Sequence, residues 1–361
     1  MRRRAVGSAS ARLRPGGVLT FLAASLLVSG TVSPRATVSS LRAQATGCLP
    51  DAVLTEAATT LLVEDVAPTA GSLSAALAAA GSDLPSVQSL RAPLSDTRAR
   101  DRFLRSATER ADAPLVCGEA EGETTRVLLV AARGGRLDVD PASNTQAAPR
   151  LRVALARNFR DAYLAGRDGE DQLHRWPVDQ EVLARGFDVP PDLAPPVVFQ
   201  LVATGPDGPR PLSRRVVGER DDSAELLSVD GDDDLATRVA TLRAHQGVRD
   251  LRVNRLLGAE AAAHAARVCS SGRVRHQGVE GDVDDPRERL RRRGIDARVV
   301  GETVARGRDL QAALRALSES PSHRMTLVDP RFTDVGYGTV RQPGGTCVVA
   351  LFAAWPRYVP R

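Results

Sequence analysis

The sequence predicts an α+β fold: a C-terminal α-β-α sandwich preceded by a helix-plus-strand domain. Three observations carry this expectation. Helical patterns with polar starts and glycine stops fill residues 234–320. An unbroken apolar run follows them, Cys347-Val348-Val349-Ala350-Leu351-Phe352-Ala353, and a strand of that kind needs cover on both faces. Ahead of both, residues 46–218 change from helix-forming to strand-forming texture.

The first residues read as a leader. Arg2, Arg3, Arg4, Arg12 and Arg14 precede the apolar run from residue 18 to 28. Its 11 residues are too few to span a bilayer and suit a signal-peptide core. Ala43-Gln44-Ala45 offers a small-residue cleavage site, so residues 1–45 are expected to be removed, with an uncleaved anchor as the alternative. No later segment is apolar and long enough to cross a membrane, so none is expected after signal removal.

Residues 46–218 are expected to begin with helices over 50–63 and 84–109. Pro93 should break or kink the second. Strands are expected in Thr125-Arg126-Val127-Leu128-Leu129-Val130-Ala131, in Leu151-Arg152-Val153-Ala154-Leu155 and in Val197-Val198-Phe199-Gln200-Leu201-Val202. Gly205-Pro206-Asp207-Gly208-Pro209 is a turn signal, and the strands suggest a small sandwich. His174 and Trp176 read as packing or sheet-edge residues. Residues 219–234 are acidic and read as a linker. Asp230-Gly231-Asp232-Asp233-Asp234 lacks the ligand spacing of a calcium loop.

The C-terminal domain, residues 235–361, starts with a helix capped by Asp234 that carries Leu235, Val239 and Leu242 and stops near Gly247. Asn254 caps a second, with Leu257, Ala261, Ala265 and Val268 inward. Asp285-Pro286-Arg287-Glu288 opens a third, which Gly294 stops. Leu310, Ala313, Leu314 and Leu317 mark a fourth, broken at Pro321. Strands through Val335, Tyr337 and Thr339 and through 347–353 follow, joined at Gln342-Pro343-Gly344-Gly345.

Charge excludes one partner class. All 49 basic residues are arginine, and seven of them precede residue 46 with no acid among them. Removing those seven takes the formal net charge from +5 to −2, so nucleic acid is not an expected partner. Arg287, Arg289, Arg291, Arg292 and Arg293 read as a solvated helix face. The four cysteines, Cys48, Cys117, Cys269 and Cys347, suggest disulfides in an exported chain. Three pairings are possible. Cys48 with Cys117 and Cys269 with Cys347 is the set that needs no crossing between domains.

Four of the five histidines lie in the second domain. His264, mid-helix among alanines, reads as structural, and His245 as a cation complementing a helix end. His276 and His323 each follow a helix terminus in loop-like sequence, where functional groups concentrate. Glu302 is expected at the edge of an element. Two imidazoles and a carboxylate suit either a divalent-metal shell or an acid/base set. There is no G-x-S-x-G or H-E-x-x-H, and without lysine no phosphate-binding P-loop.

The order of short segments in this domain resembles the CAP superfamily (SCP/PR-1-like, bacterial type). The segments are Thr241-Leu242-Arg243-Ala244-His245, Leu256-Leu257, Ala261-Ala262, His264-Ala265, Arg275-His276, Gly301-Glu302, Ser320-Pro321-Ser322-His323-Arg324 and Val335-Gly336-Tyr337-Gly338. The resemblance covers residues 235–356. It implies a cavity lined by His276, Glu302 and His323, with His276 and His323 as ligands of zinc or another divalent cation. Thr303 stands where the family carries Asn, Leu317 where bacterial members carry Trp, and the second glutamate of many eukaryotic members has no match.

The leading expectation is a secreted protein, extracellular or periplasmic, that binds an extracellular ligand or cell-envelope component without catalysis. One alternative is a zinc-dependent or acid/base hydrolase of peptide or cell-wall material. Another is a cell-surface interaction protein acting through residues 46–218.

Overall fold

The computed structural model describes residues 47–64, 68–140, 149–218, 234–277 and 285–355. The expected leader and all of the linker but Asp234 lie outside them.

The first layer set contains β1 (Cys48–Pro50), α1 (Ala52–Val63), α2 (Ala70–Ala79), β2 (Gln88–Pro93), α3 (Thr97–Arg110), β3 (Leu115–Glu121) and β4 (Thr125–Ala132). The sheet order is β1-β3-β4-β2. Alternation along β4 explains the two cores. Val127, Leu129 and Ala131 pack with Leu54 and Leu61 of α1, whereas Leu128 and Val130 pack with Leu104 of α3.

Residues 84–109 do not form the single expected helix. Residues Gln88–Pro93 form an edge strand against β4, and the helix starts only after Asp96, whose Oδ1 accepts from the Ala99 N–H at 2.9 Å. Pairing β2 covers an otherwise bare sheet edge. Pro93, which lacks an N–H, fits the end of such an edge strand. α2 was not anticipated from the sequence.

A β-sandwich follows: β5 (Gly135–Asp140), β6 (Arg150–Leu155), β7 (Arg160–Arg167), β8 (Leu173–Pro177), α4 (Gln180–Arg185), β9 (Phe187–Asp188), β10 (Val197–Gly205) and β11 (Gly208–Val217). The sheets β11-β10-β7-β8 and β5-β6-β9 close over Leu137, Leu151, Leu164, Phe199, Leu201 and Leu212. The strand expectations at 125–131, 151–155 and 197–202 and the turn at 205–209 agree with this arrangement. His174 stacks on Trp176 on edge strand β8 and contacts Asp168 Oδ2 at 2.9 Å.

The C-terminal layers contain α5 (Leu235–His245), β12 (Arg252–Val253), α6 (Arg255–Ser271), α7 (Pro286–Arg292), β13 (Val299–Gly307), α8 (Leu310–Ser318), α9 (Pro321–Leu327), β14 (Asp334–Gln342) and β15 (Gly345–Ala354). The sheet order is β12-β14-β15-β13. On β15, Cys347, Val349, Leu351 and Ala353 pack toward α6, while Val348, Ala350 and Phe352 pack with α5, α8 and α9. This is the expected α-β-α sandwich. Glycine permits its closest approach: a Cβ on Gly336 or Gly338 would stand 2.1 and 2.3 Å from the backbone of α6. Leu317, in place of a larger aromatic, is buried in the α8 core.

Disulfides join Cys48 to Cys117 and Cys269 to Cys347, the pairing without a crossing. Among the described residues no helix is long and apolar enough to cross a membrane.

Candidate functional site

Helix α6 ends at Gly272, which adopts the left-handed conformation with φ of 66° and turns the chain toward His276. The His264 Nε2–H donates to the Arg275 carbonyl at 2.8 Å, and the His276 N–H donates to the Asp207 carbonyl at 2.9 Å. The ring of His276 faces Glu302, with Nδ1 3.0 Å from Oε1.

Glu302 sits in the middle of β13, opposite Leu351, rather than at the edge of an element. Its side chain is 1% exposed, so its charge must be matched locally. Arg289 donates to Oε2, His276 contacts Oε1, and His264 Nε2 lies 3.7 Å from Oε1. Burial alone would push the carboxyl pKa up. The His276 hydrogen bond and the Arg289 charge outweigh it and hold the pKa below the usual range.

Arg289 corrects the reading of a solvated arginine face. Arg291, Arg292 and Arg293 are exposed, but Arg289 is only 6% exposed. It also donates through Nε to Glu260 Oε1 at 3.2 Å and through Nη1 to the His276 carbonyl at 2.5 Å. Glu260 in turn receives Arg267 at 2.7 Å and Arg293 at 2.5 Å. His276 is therefore gripped at its ring by Glu302 and at its carbonyl by the arginine that neutralises Glu302.

His323 lies in the first turn of α9 and not in a loop. Ser320 caps this helix, and Pro321 occupies its first position. The His323 Nδ1 is buried and makes no well-formed hydrogen bond among the described residues. Its pKa is pushed down to about 4, first by burial and then by the neighbouring His276, against the Ala316 carbonyl. The ring is neutral near pH 7.

His276, Glu302 and His323 line one cleft of about 340 Å³. Ser322 and Thr326 of α9 extend its polar side. Tyr163, Val202, Pro209, Arg210 and Pro211 of the β-sandwich also line it.

Glu302 already has one oxygen on Arg289 and one on His276, which leaves His276 and His323 as available donors. Two imidazoles fall short of the three protein ligands of an open zinc site. Among the described residues no group of three His, Cys, Asp or Glu side chains is arranged to hold a metal. Among the described residues, His276 and His323 alone do not make a zinc centre of the expected kind.

Glu260, Arg267 and Gln200 are not singled out in the sequence, where Arg289 reads as solvated and His264 as structural. Glu260, His264 and Arg267 recur at helical spacing beside the apolar stripe of α6, and that polar stripe was the available signal. Arg289 was hidden among exposed arginines of the same helix. Gln200, which contacts α9, is a lone polar residue within an apolar strand run. His245 contacts Asp171 Oδ2 at 3.4 Å, away from this cleft. Thr303 is buried, and its hydroxyl has no partner among the described residues.

Residues 236–352, about a third of the chain, match the CAP model, described as the cysteine-rich secretory protein family. The chain is similar to an outer surface protein from Borrelia burgdorferi, with TM-score 0.31 and 20% identity over 39% of this chain and 100% of that one. It is also similar to an extracellular protein containing a SCP domain from Bacillus anthracis str. Ames, with TM-score 0.28 and 14% identity over 62% and 87%. A cysteine-rich secretory protein from Staphylococcus aureus gives TM-score 0.26 and 12% identity over 61% and 85%. No curated protein matches the chain.

Proposed function

We propose, from the match of residues 236–352 to the CAP model, that the protein is a secreted, non-enzymatic binding protein whose ligand sits on His276, Glu302 and His323. The observation that carries this reading is their shared placement on one open cleft. Residues far apart in sequence supply polar groups to one concave surface that also carries apolar groups, as small-molecule sites do. The two disulfides fit an oxidising compartment, extracellular or periplasmic, where short peptide or glycan pieces of the cell envelope are the candidate ligands.

A divalent cation would have His276 and His323 as its donors, with Glu302 held by Arg289. Calorimetric titration with envelope peptide and glycan fragments, and separately with zinc, tests both parts. Fragment binding should weaken at least about tenfold in His276→Ala and His323→Ala, a change of about 1.4 kcal/mol. Equal fragment binding by wild type and both variants would contradict the site. Tight stoichiometric zinc uptake by wild type, lost in both variants, would restore the metal reading.

One observation favours a second reading. A histidine whose Nδ1 is oriented by a buried carboxylate is the arrangement of a general base. Under that reading His276 activates water for hydrolysis of peptide or cell-wall material. A substrate panel with wild type and Glu302→Gln separates the two. Turnover abolished by Glu302→Gln would establish the enzyme, and no turnover across the panel supports the binding role.

A further inference from the structure

Both cleft histidines are held from outside the CAP domain. Gln200 stands in the middle of β10, 3% exposed. Its Oε1 accepts from Ser320 Oγ at 2.9 Å, from the Ser322 N–H at 3.2 Å and from Ser322 Oγ at 2.7 Å. These donors belong to the cap and first turn of α9, immediately before His323. Immediately after it, Arg324 donates to Asp171, on the loop between β7 and β8. Asp171 also receives Gln246 Nε2 at 3.1 Å.

The other histidine is held by the β10–β11 turn. The Asp207 carbonyl accepts the His276 N–H, and Asp207 Oδ2 accepts Arg273 Nη2 at 2.8 Å. The turn presses on the histidine itself. Gly208 has φ of +99°, and a Cβ there would stand 3.0 Å from the His276 Cβ.

A buried amide inside an apolar strand is costly unless its polar atoms are matched. The Gln200 oxygen is matched by α9, so the sandwich has a face that is complete only with the CAP domain seated. We propose that the cleft is a composite site in which the sandwich forms one wall. Gln200 and the 206–208 turn are positioning residues for His323 and His276. This rests on the reading of the cleft as the ligand site. A ligand there meets apolar and polar groups from both parts: Pro209 and Arg210 from the sandwich, Val300 and His323 from the CAP side. The class it fits is a small molecule that carries both apolar and hydrogen-bonding groups.

The test uses the full chain and diethyl pyrocarbonate at pH 7, with the modification rate of each histidine read by mass spectrometry. Gln200→Met keeps length and removes the acceptor, and Gly208→Ala places a methyl against His276. The His323 rate should rise severalfold in the first variant and the His276 rate in the second, while His174 and buried His264 keep their wild-type rates. Ser322→Ala, a milder change, removes the hydroxyl donor from the CAP side and should also raise the His323 rate. Unchanged His323 and His276 rates in all three variants overturn the assignment. A rise shared by His264 in all three also overturns it, because general loosening then accounts for the effect. Failure of the ligand reading looks different: wild type binds no envelope fragment while the selective histidine pattern persists.

Discussion

Arg289 of α7 and Glu302 of β13 form an ion pair with side chains 5% and 1% exposed. The pair decides what the cleft can do. It fixes Glu302 as a carboxylate, turns one of its oxygens away from any cation and, through the His276 carbonyl, fixes the residue on the other oxygen.

Arg289→Met should therefore cost about 3–5 kcal/mol of stability, because it strands buried carboxylates. Glu302→Gln should cost less, since Arg289 keeps Glu260 as a partner. Urea midpoints measure both, and small, equal losses would contradict the pair's role. Arg289→Met also frees Glu302 as a third donor, so the variant should bind zinc more tightly than wild type.

Stability should fall as pH falls from about 6.5 toward about 4. The folded His323 pKa is depressed to about 4 from 6.5, chiefly by burial, so the unfolded chain binds more protons across that window. Burial depresses the His264 pKa in the same direction. Each unit of depression is worth about 1.4 kcal/mol. Glu302 adds a loss at lower pH: its folded pKa lies below the unfolded value near 4.3, so its contribution is present above that value and disappears as pH drops through the folded one. Denaturation midpoints at pH 7 and pH 4.5 check the sign. In His323→Leu the difference should shrink, and an unchanged difference would contradict the assignment to His323.

Much of the C-terminal architecture was legible because local chemistry set it. Asp234, Asn254 and Asp285 cap helices where their short polar side chains fall, and the 347–353 run had no polar face to expose. The site was less legible, because its geometry is made by tertiary contacts. Glu302 looked like an edge residue until Arg289, 13 positions before it in the chain, matched its charge inside the sandwich. His323 looked like a loop residue because Pro321 reads as a break, whereas after Ser320 it opens a new helix. Gln88–Pro93 became a strand because β4 needed an edge partner, which helical propensity does not report.

The contact between Asp171 and Arg324 gives a test of how the two parts are joined. Arg324 has a side chain 3% exposed, and Asp171→Ala leaves that charge uncompensated. The single variant should lose about 3–5 kcal/mol. Arg324→Met in the same background should recover part of it. A double-mutant cycle in urea measures the coupling, and additive losses would show that the two side chains act separately.

The most direct measurement is the ¹³C–¹H spectrum of the five histidines during titration with envelope peptide and glycan fragments. The account predicts that a binding fragment moves the His276 and His323 signals together, with the His174 signal fixed. Fragments that bind and move neither, or that move His174 alone, would contradict a shared site on the CAP cleft.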